Sequence, residues 1–211
     1  QPHDEVRLHN RFIHNLLNPL GTHDCGDLFL RLFFDVIEEA ADSLKEHTYT
    51  VRKEASTHQG QLDLLLESPE MGIAIENKIY AGEQHHQLAR YATYLKEKHG
   101  DNSLPIYLTL DGKESYTHED ADYLRISYRD HILAWLDKCL AATFSIIPIN
   151  QVLIQYRHVV CTITGRTLEH QAMKEIADHL VANPGLILMR ENFNSAVEEV
   201  KNSRTLSNSR I

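Results

Sequence analysis

The sequence has few cysteines, no long apolar run and a shortage of cations, and each shortage excludes a class of protein. The three cysteines, Cys25, Cys139 and Cys161, are odd in number and widely spaced. This spacing argues against a disulfide framework and for a reducing cytoplasm. No apolar run approaches the length of a membrane span, and no secretion signal is visible. We therefore expect a cytoplasmic protein with no membrane partner.

Acidic residues outnumber basic ones. The 211 residues include 21 lysines and arginines against 30 aspartates and glutamates, a formal net charge of −9. Contacts from Lys and Arg to phosphates supply most non-specific affinity for nucleic acid. The balance therefore predicts modest affinity for nucleic acid, or dependence on a partner subunit, unless a local basic patch exists. The candidates for such a patch are Arg52, Lys53, Arg90, Lys96, Lys98, Arg125 and Arg129.

Hydrophobic residues make up 42% of the chain, enough for a sizeable core. Apolar periodicity and turn residues predict strands at about 48–56, 61–67, 72–78, 104–110 and 123–126. Helices are predicted at about 4–18, 26–45, 82–99, 129–142, 147–163, 167–182 and 187–201. This order predicts an α/β fold with a mixed central sheet. We expect one domain over residues 1–211, with a core of about 1–142 and a helical extension of about 147–201.

Three charged residues lie in or at the end of two apolar segments. Asp63 lies inside GQLDLLL (60–66), and Glu76 and Lys78 end IAIENK (73–78). Charged groups are rarely buried unless they are paired or bind a metal. Strand alternation places Glu76 and Lys78 on one face and Asn77 on the other. Two carboxylates and an ammonium at the end of a hairpin suit Mg²⁺-dependent phosphodiester cleavage. The carboxylates would hold the hard cation, and the Lys would orient or deprotonate the attacking water.

The spacing Asp63-(x12)-Glu76-x-Lys78 resembles the D…(D/E)xK core of the PD-(D/E)XK nuclease superfamily. The helix that follows carries Gln87-x-x-x-Tyr91, which resembles the QxxxY motif of the RecB-like branch. The N-terminal runs FIHNLLNP, GTH and GDLFL resemble an uncharacterised prokaryotic subgroup. The resemblance implies a restriction-endonuclease-like fold. It also implies a nuclease that uses Mg²⁺ or Mn²⁺ and acts on nucleic acid, with DNA the expected substrate.

The resemblance also implies a set of metal ligands. Asp63, Glu76 and the backbone carbonyl of Ile75 are expected to hold the metal. A fourth acidic ligand is expected from the first helix, where Glu5 is the choice; the glutamates at 38–39 compete with it.

The same resemblance implies roles for three further side chains. Lys78 is expected to position and activate the hydrolytic water. Gln87 and Tyr91 are expected to point back to Lys78 and to the substrate backbone. Their spacing in the sequence places them on one helix face, which is equally compatible with ordinary polar residues at an interface.

Alternatives from other classes remain open. One is a catalytically silent nuclease-fold module that binds nucleic acid or a partner protein in a defence or mobile-element system. Apolar residues at 186–189 are compatible with a homodimer, and equally with a core position. A zinc site near the N-terminus has little support, because its candidate ligands do not follow zinc-motif spacing. These are His9, His14, His23, Asp24 and Cys25.

Overall fold

The computed structural model describes residues 5–37, 41–79, 87–115 and 122–166. All of them belong to one compact unit, Gln1–Arg166; the second unit, Thr167–Ile211, lies outside the described residues. The helices predicted at about 167–182 and 187–201 therefore also lie outside them. The division into a core and a helical extension stays a prediction.

The described helices follow the apolar periodicity of the sequence closely. A π-helix over Glu5–Asn10 continues directly into α1, Arg11–Leu17. The segment predicted as one helix over 26–45 contains two helices, with residues 38–40 between them outside the described part of the chain. The remaining elements are α2 (Leu28–Ile37), α3 (Ala41–Leu44), α4 (Gln87–His99), a π-helical turn (Tyr128–Ile132), α5 (Leu133–Ala142) and α6 (Ile147–Ile163). None of the helices in the described ranges is long and apolar enough to cross a membrane.

The strands of the described residues form a mixed five-stranded sheet in the order β1-β2-β3-β4-β5. β1 to β3 are antiparallel neighbours, whereas β3, β4 and β5 run parallel. The bounds are β1 (Thr50–Thr57), β2 (Gly60–Glu67), β3 (Gly72–Lys78), β4 (Ser103–Thr109) and β5 (Leu124–Ser127). The predicted α/β fold class, with helices flanking a mixed sheet, is confirmed.

The sheet separates two hydrophobic cores. The larger core joins one face of β2, β3 and β4 to α1, α2, α5 and α6, and includes Ile75 and Trp135. The smaller core lies under α4 and includes Ala74, Tyr91 and Leu95. Ala74 and Ile75 are adjacent in β3 and lie in different cores, as strand alternation requires. On β3, residues with even numbers therefore face α4, and residues with odd numbers face α1 and α5.

An irregularity in the hairpin of β1 and β2 lies beside Asp63. Val51 packs in the larger core and Ala55 in the smaller one, although residues of equal parity belong on one face of a regular strand. Glu54, between them, has a positive φ of 49°. A non-glycine residue in this left-handed region costs about 1 kcal/mol. The paired positions on either side of Glu54 place it opposite Asp63. The local turn of the backbone thus brings the end of the hairpin under α4.

Candidate functional site

The ExK segment ends β3 and divides its side chains between the two faces of the sheet. Glu76 faces α4, and its carboxylate Oε1 lies 3.1 Å from Nζ of Lys78. Glu76 is buried, at 2% exposure, and Lys78 is partly buried, at 12%. The Asn77 side chain points to the opposite face, where Nδ2 donates to Oδ1 of Asn10. The structure therefore places Glu76 and Lys78 together, on the opposite face from Asn77.

Asp63 joins this pair from the neighbouring strand. Its Oδ2 accepts a hydrogen bond of 3.0 Å from the backbone N–H of Asn77, across the opening between β2 and β3. The pairing of these strands stops at Leu64 and Ile75, so the strands separate where Asp63 and Glu76 lie. Asp63 is close enough to Glu76 for its charge to raise the pKa of the Glu76 carboxyl. Two carboxylates and one ammonium thus converge at the ends of two neighbouring strands.

The electrostatics of Glu76 indicate a site short of positive charge. Burial, and then the nearby charge of Asp63, raise the pKa of Glu76 to about 7, although Lys78 opposes the rise. Oε1 of Glu76 is buried and accepts no hydrogen bond of regular geometry within the described part of the chain, although Lys78, whose Nζ lies 3.1 Å away, and the Tyr91 hydroxyl both lower the pKa of Glu76. Oε1 of Gln87 is also buried there without a donor. Buried oxygens without donors are rare in native proteins and call for an explanation.

Helix α4 holds the two carboxylate residues in place. Nε2 of Gln87 donates to Oε2 of Glu76 at 2.9 Å. The Tyr91 hydroxyl accepts from the backbone N–H of Asp63 at 2.7 Å and donates to the Gln61 carbonyl at 3.4 Å. Both residues had been expected to point to Lys78 and to the substrate. Tyr91 is fully buried and fixes the Asp63 backbone; a contact of either residue with Lys78 or the substrate stays a prediction.

A second charged cluster anchors α4 to the other end of β2. Glu67 accepts hydrogen bonds from Arg52 on β1 and from Lys98 and Tyr94 on α4. Nε2 of His99 lies 3.4 Å from the same carboxylate. Burial alone raises the pKa of Glu67, but the hydrogen bonds from Lys98, Arg52 and His99 lower it to about 2. This cluster keeps the helix that carries Gln87 and Tyr91 against the sheet. No local sequence pattern predicts this cluster, because its members come from three separate elements.

The buried side chain of Asn77 links the site to the N-terminal π-helix and to the Tyr128 turn. Asn10 lies 2% exposed, Asn77 1% and Tyr128 0%. The Tyr128 hydroxyl donates to Oδ1 of Asn77 at 3.0 Å, while the Asn77 amide donates to Asn10 at 2.6 Å. A buried amide with both ends satisfied specifies one arrangement of the elements it joins. The sequence predicts only that Asn77 lies on the face opposite Glu76 and Lys78.

The backbone geometry bears on the choice of carbonyl ligand. Backbone groups two residues apart in a strand point to the same neighbour, and the N–H of Asn77 points to Asp63 on β2. The carbonyl of Ile75 therefore also points to β2, where Ile75 pairs with Leu64 inside the ladder. Ile75 is the weaker candidate for this reason. Asn77 follows the last pair, and the same alternation directs its carbonyl to the opening beside Asp63, which makes it a second candidate. The choice between the two carbonyls stays a prediction.

The fourth acidic ligand remains a prediction. Glu5 is the first residue of the N-terminal π-helix, and that helix is joined to β3 through Asn10 and Asn77. The competing glutamates at 38–39 lie outside the described residues. Within the described ranges no group of three or more His, Cys, Asp or Glu side chains could hold a metal. A metal held there by Asp63 and Glu76 therefore needs further ligands from backbone carbonyls, water or residues beyond those described.

Comparisons with known proteins agree with this geometry. No curated protein and no solved structure matches the chain. The family model of the PD-(D/E)XK nuclease superfamily matches residues 1–158, a range that contains Asp63, Glu76 and Lys78 and all five strands of the described sheet. This match covers well over half of the 211 residues. The chain belongs to the PD-(D/E)XK nuclease superfamily.

Proposed function

We propose that the protein is a nuclease that uses Mg²⁺ or Mn²⁺ to hydrolyse phosphodiester bonds in DNA. The observation that carries the proposal is the convergence of Asp63, Glu76 and Lys78 where β2 and β3 separate. Nucleases of this superfamily generally use divalent metals. A cytoplasmic location, and a homodimer or partner subunit, stay predictions.

The residues present fit a hard divalent cation. Asp63, Glu76 and the Asn77 carbonyl offer oxygen donors only, which Mg²⁺ and Mn²⁺ prefer. The buried Oε1 of Glu76 accepts no hydrogen bond of regular geometry from the described residues, and the pKa of Glu76 is raised by burial and by Asp63. A cation between the two carboxylates would remove both anomalies, because it compensates the charges that repel each other. When bound, the metal supplies Lewis acidity toward the phosphate and a more acidic water.

The chain's own groups then have separate tasks. Lys78, beside Glu76, positions the attacking water and offsets the negative charge of the phosphate. As the water oxygen bonds to phosphorus it releases a proton to solvent, and the ester P–O bond breaks as its oxygen leaves and takes up a proton from solvent. Gln87 keeps Glu76 in one orientation, and Tyr91 holds the backbone of Asp63. Positioning of this kind lowers the barrier because little reorganisation remains at the moment of reaction.

The test is a cleavage assay on supercoiled plasmid, linear duplex, single-stranded DNA and RNA, with Mg²⁺, Mn²⁺ or EDTA. We expect metal-dependent cleavage of DNA that Asp63→Ala and Lys78→Ala abolish. Lys138→Ala is the matched control, because Lys138 lies on the exposed surface of α5, far along the chain from β2 and β3. Cleavage that survives both site substitutions would reject the proposed chemistry.

Metal binding has a readout that does not depend on activity. Millimolar Mg²⁺ or Mn²⁺ should raise the melting temperature of the wild type, since a ligand that binds the native state stabilises it. The Asp63→Ala variant should lose this response. No metal-dependent shift together with no cleavage would favour a silent nuclease-fold module that binds nucleic acid or a partner protein.

A further inference from the structure

Ion pairs neutralise part of the basic patch expected from the sequence. Arg52 and Lys98 both bind Glu67, and Arg125 binds Glu114 at 2.7 Å. A cation paired with a carboxylate has less to offer a phosphate, since the phosphate must compete with that partner. The patch candidates that pair with no carboxylate of the described residues are Lys53, Arg90, Lys96 and Arg129.

Arg90 lies on the helix whose side chains hold the candidate site. It falls on α4 between Gln87, which binds Glu76, and Tyr91, which binds the Asp63 backbone. Its Nε lies 3.7 Å from the point where a Cβ on Gly60 would be placed. Gly60 is three residues before Asp63 on β2, or about 10 Å along an extended strand. The guanidinium therefore lies over the hairpin that carries Asp63, near the site but outside it.

The Arg90 guanidinium is half-buried, and within the described residues no protein group accepts a hydrogen bond from it. A guanidinium has five N–H donors in a planar fork and matches a phosphate geometrically. The other three candidates are placed differently. Arg129 is exposed and follows β5, two strands away from β3 in the sheet. Lys96 is exposed and lies six residues further along α4, a rise of about 9 Å. Lys53 lies near His14 of α1: burial lowers the pKa of His14, and the Lys53 charge lowers it further.

We infer that Arg90 binds a backbone phosphate of the nucleic-acid strand, next to the phosphate that is cleaved at Asp63 and Glu76. The inference rests on the proposed function and adds the contact that holds the substrate. It also explains how a chain of net charge −9 would bind a polyanion: an arginine that pairs with no carboxylate of the described residues, beside the proposed metal site, supplies local positive potential where the overall charge is negative. The contact is to the backbone, so it carries no sequence preference.

The experiment measures binding without cleavage. Fluorescence anisotropy with a labelled DNA duplex and a labelled single strand, in EDTA, gives the binding constant of the full chain over a range of KCl concentrations. Arg90→Ala should reduce the slope of log K against log [KCl] by about 0.9 on duplex or about 0.7 on single strand. Arg90→Lys should keep the slope and lose part of the affinity. Lys96→Ala, the matched control on the same helix, should keep both.

The outcomes separate this inference from the proposed function. An unchanged slope in Arg90→Ala, or wild-type binding that does not depend on salt, overturns the phosphate contact even if the protein cleaves DNA. A reduced slope in a protein that never cleaves supports the contact and rejects the nuclease. If Arg90 only covers the hairpin, Arg90→Ala lowers the melting temperature and leaves the slope as it was, and the inference fails. In the cleavage assay, we expect Arg90→Ala to raise KM by more than it lowers kcat.

Discussion

The same substitution, Glu to Gln, should change stability in opposite directions at two buried positions. Glu76 lies beside Asp63 and has an elevated pKa, whereas Glu67 lies among Arg52, Lys98 and His99 and has a depressed one. Both carboxylates are buried. Glu76→Gln should therefore stabilise the metal-free protein, and Glu67→Gln should destabilise it.

The magnitudes follow from the pKa values. A rise of the Glu76 pKa from 4.5 to about 7 opposes the ionised form by about 3 kcal/mol. The group's folded pKa is raised, so this penalty grows between pH 4.5 and 7 and is complete above pH 7. The pKa of Glu67 is lowered from 4.5 to about 2, which before screening favours the ionised form by a similar free energy. Arg52 and Lys98 are about half exposed, and solvent screening reduces this gain to about 1–2 kcal/mol.

The assay is urea unfolding of wild type, Glu76→Gln and Glu67→Gln at pH 8 in EDTA, repeated with Mn²⁺. We expect a higher midpoint for Glu76→Gln and a lower one for Glu67→Gln in EDTA. Manganese at a hundred times Kd should stabilise the wild type by about 2.7 kcal/mol. It should stabilise Glu67→Gln by the same amount and Glu76→Gln by much less. A Glu76→Gln variant that is less stable than wild type in EDTA would refute the view that burial and the charge of Asp63 disfavour the ionised Glu76 carboxylate.

Three further predictions concern stability and positioning. In acid unfolding, the difference in free energy of unfolding between wild type and Glu67→Gln should have its full size above about pH 4.5 and vanish toward pH 2. The reason is that the pKa of Glu67 in the folded protein is lowered to about 2. Tyr91→Phe leaves the Asp63 N–H without its 2.7 Å partner; it should lower stability by about 1–2 kcal/mol and lower kcat with little change in KM. Gly72→Ala should lower the urea midpoint by about 1–3 kcal/mol, since its Cβ would lie 2.4 Å from the His99 ring; an unchanged midpoint would show that the ring moves freely.

Local sequence patterns predicted much of the fold. The five strands of the described sheet follow from short apolar runs, the turn at 68–71 and the alternation within each run. The placement of Glu76 and Lys78 on one face needed only the two-residue period of a strand. Asp63 was predicted to meet them because two strands joined by a short turn pair as a hairpin. Each of these predictions depends on residues that are close in the sequence.

What the sequence did not predict depends on distant partners or on single backbone torsions. No local pattern predicts the hydrogen bonds of Asn77, because Asn10 and Tyr128, which bind it, are 67 and 51 residues away. Glu54 has a residue type that normally avoids positive φ, so no propensity indicates that the faces of β1 exchange there. The second candidate carbonyl beside the site could be identified only after the direction of the Asn77 N–H was known.

The double anchoring of Asn77 has a consequence for mutational tolerance. The middle letter of the ExK motif is written as any residue, yet here its amide is enclosed and bonded at both ends. In a library that varies positions 76, 77 and 78 independently, selection for folded protein should restrict position 77 most strongly, whereas selection for cleavage should restrict all three. The motif accepts any residue at position 77, but in this protein the hydrogen bonds of the buried Asn77 amide restrict it.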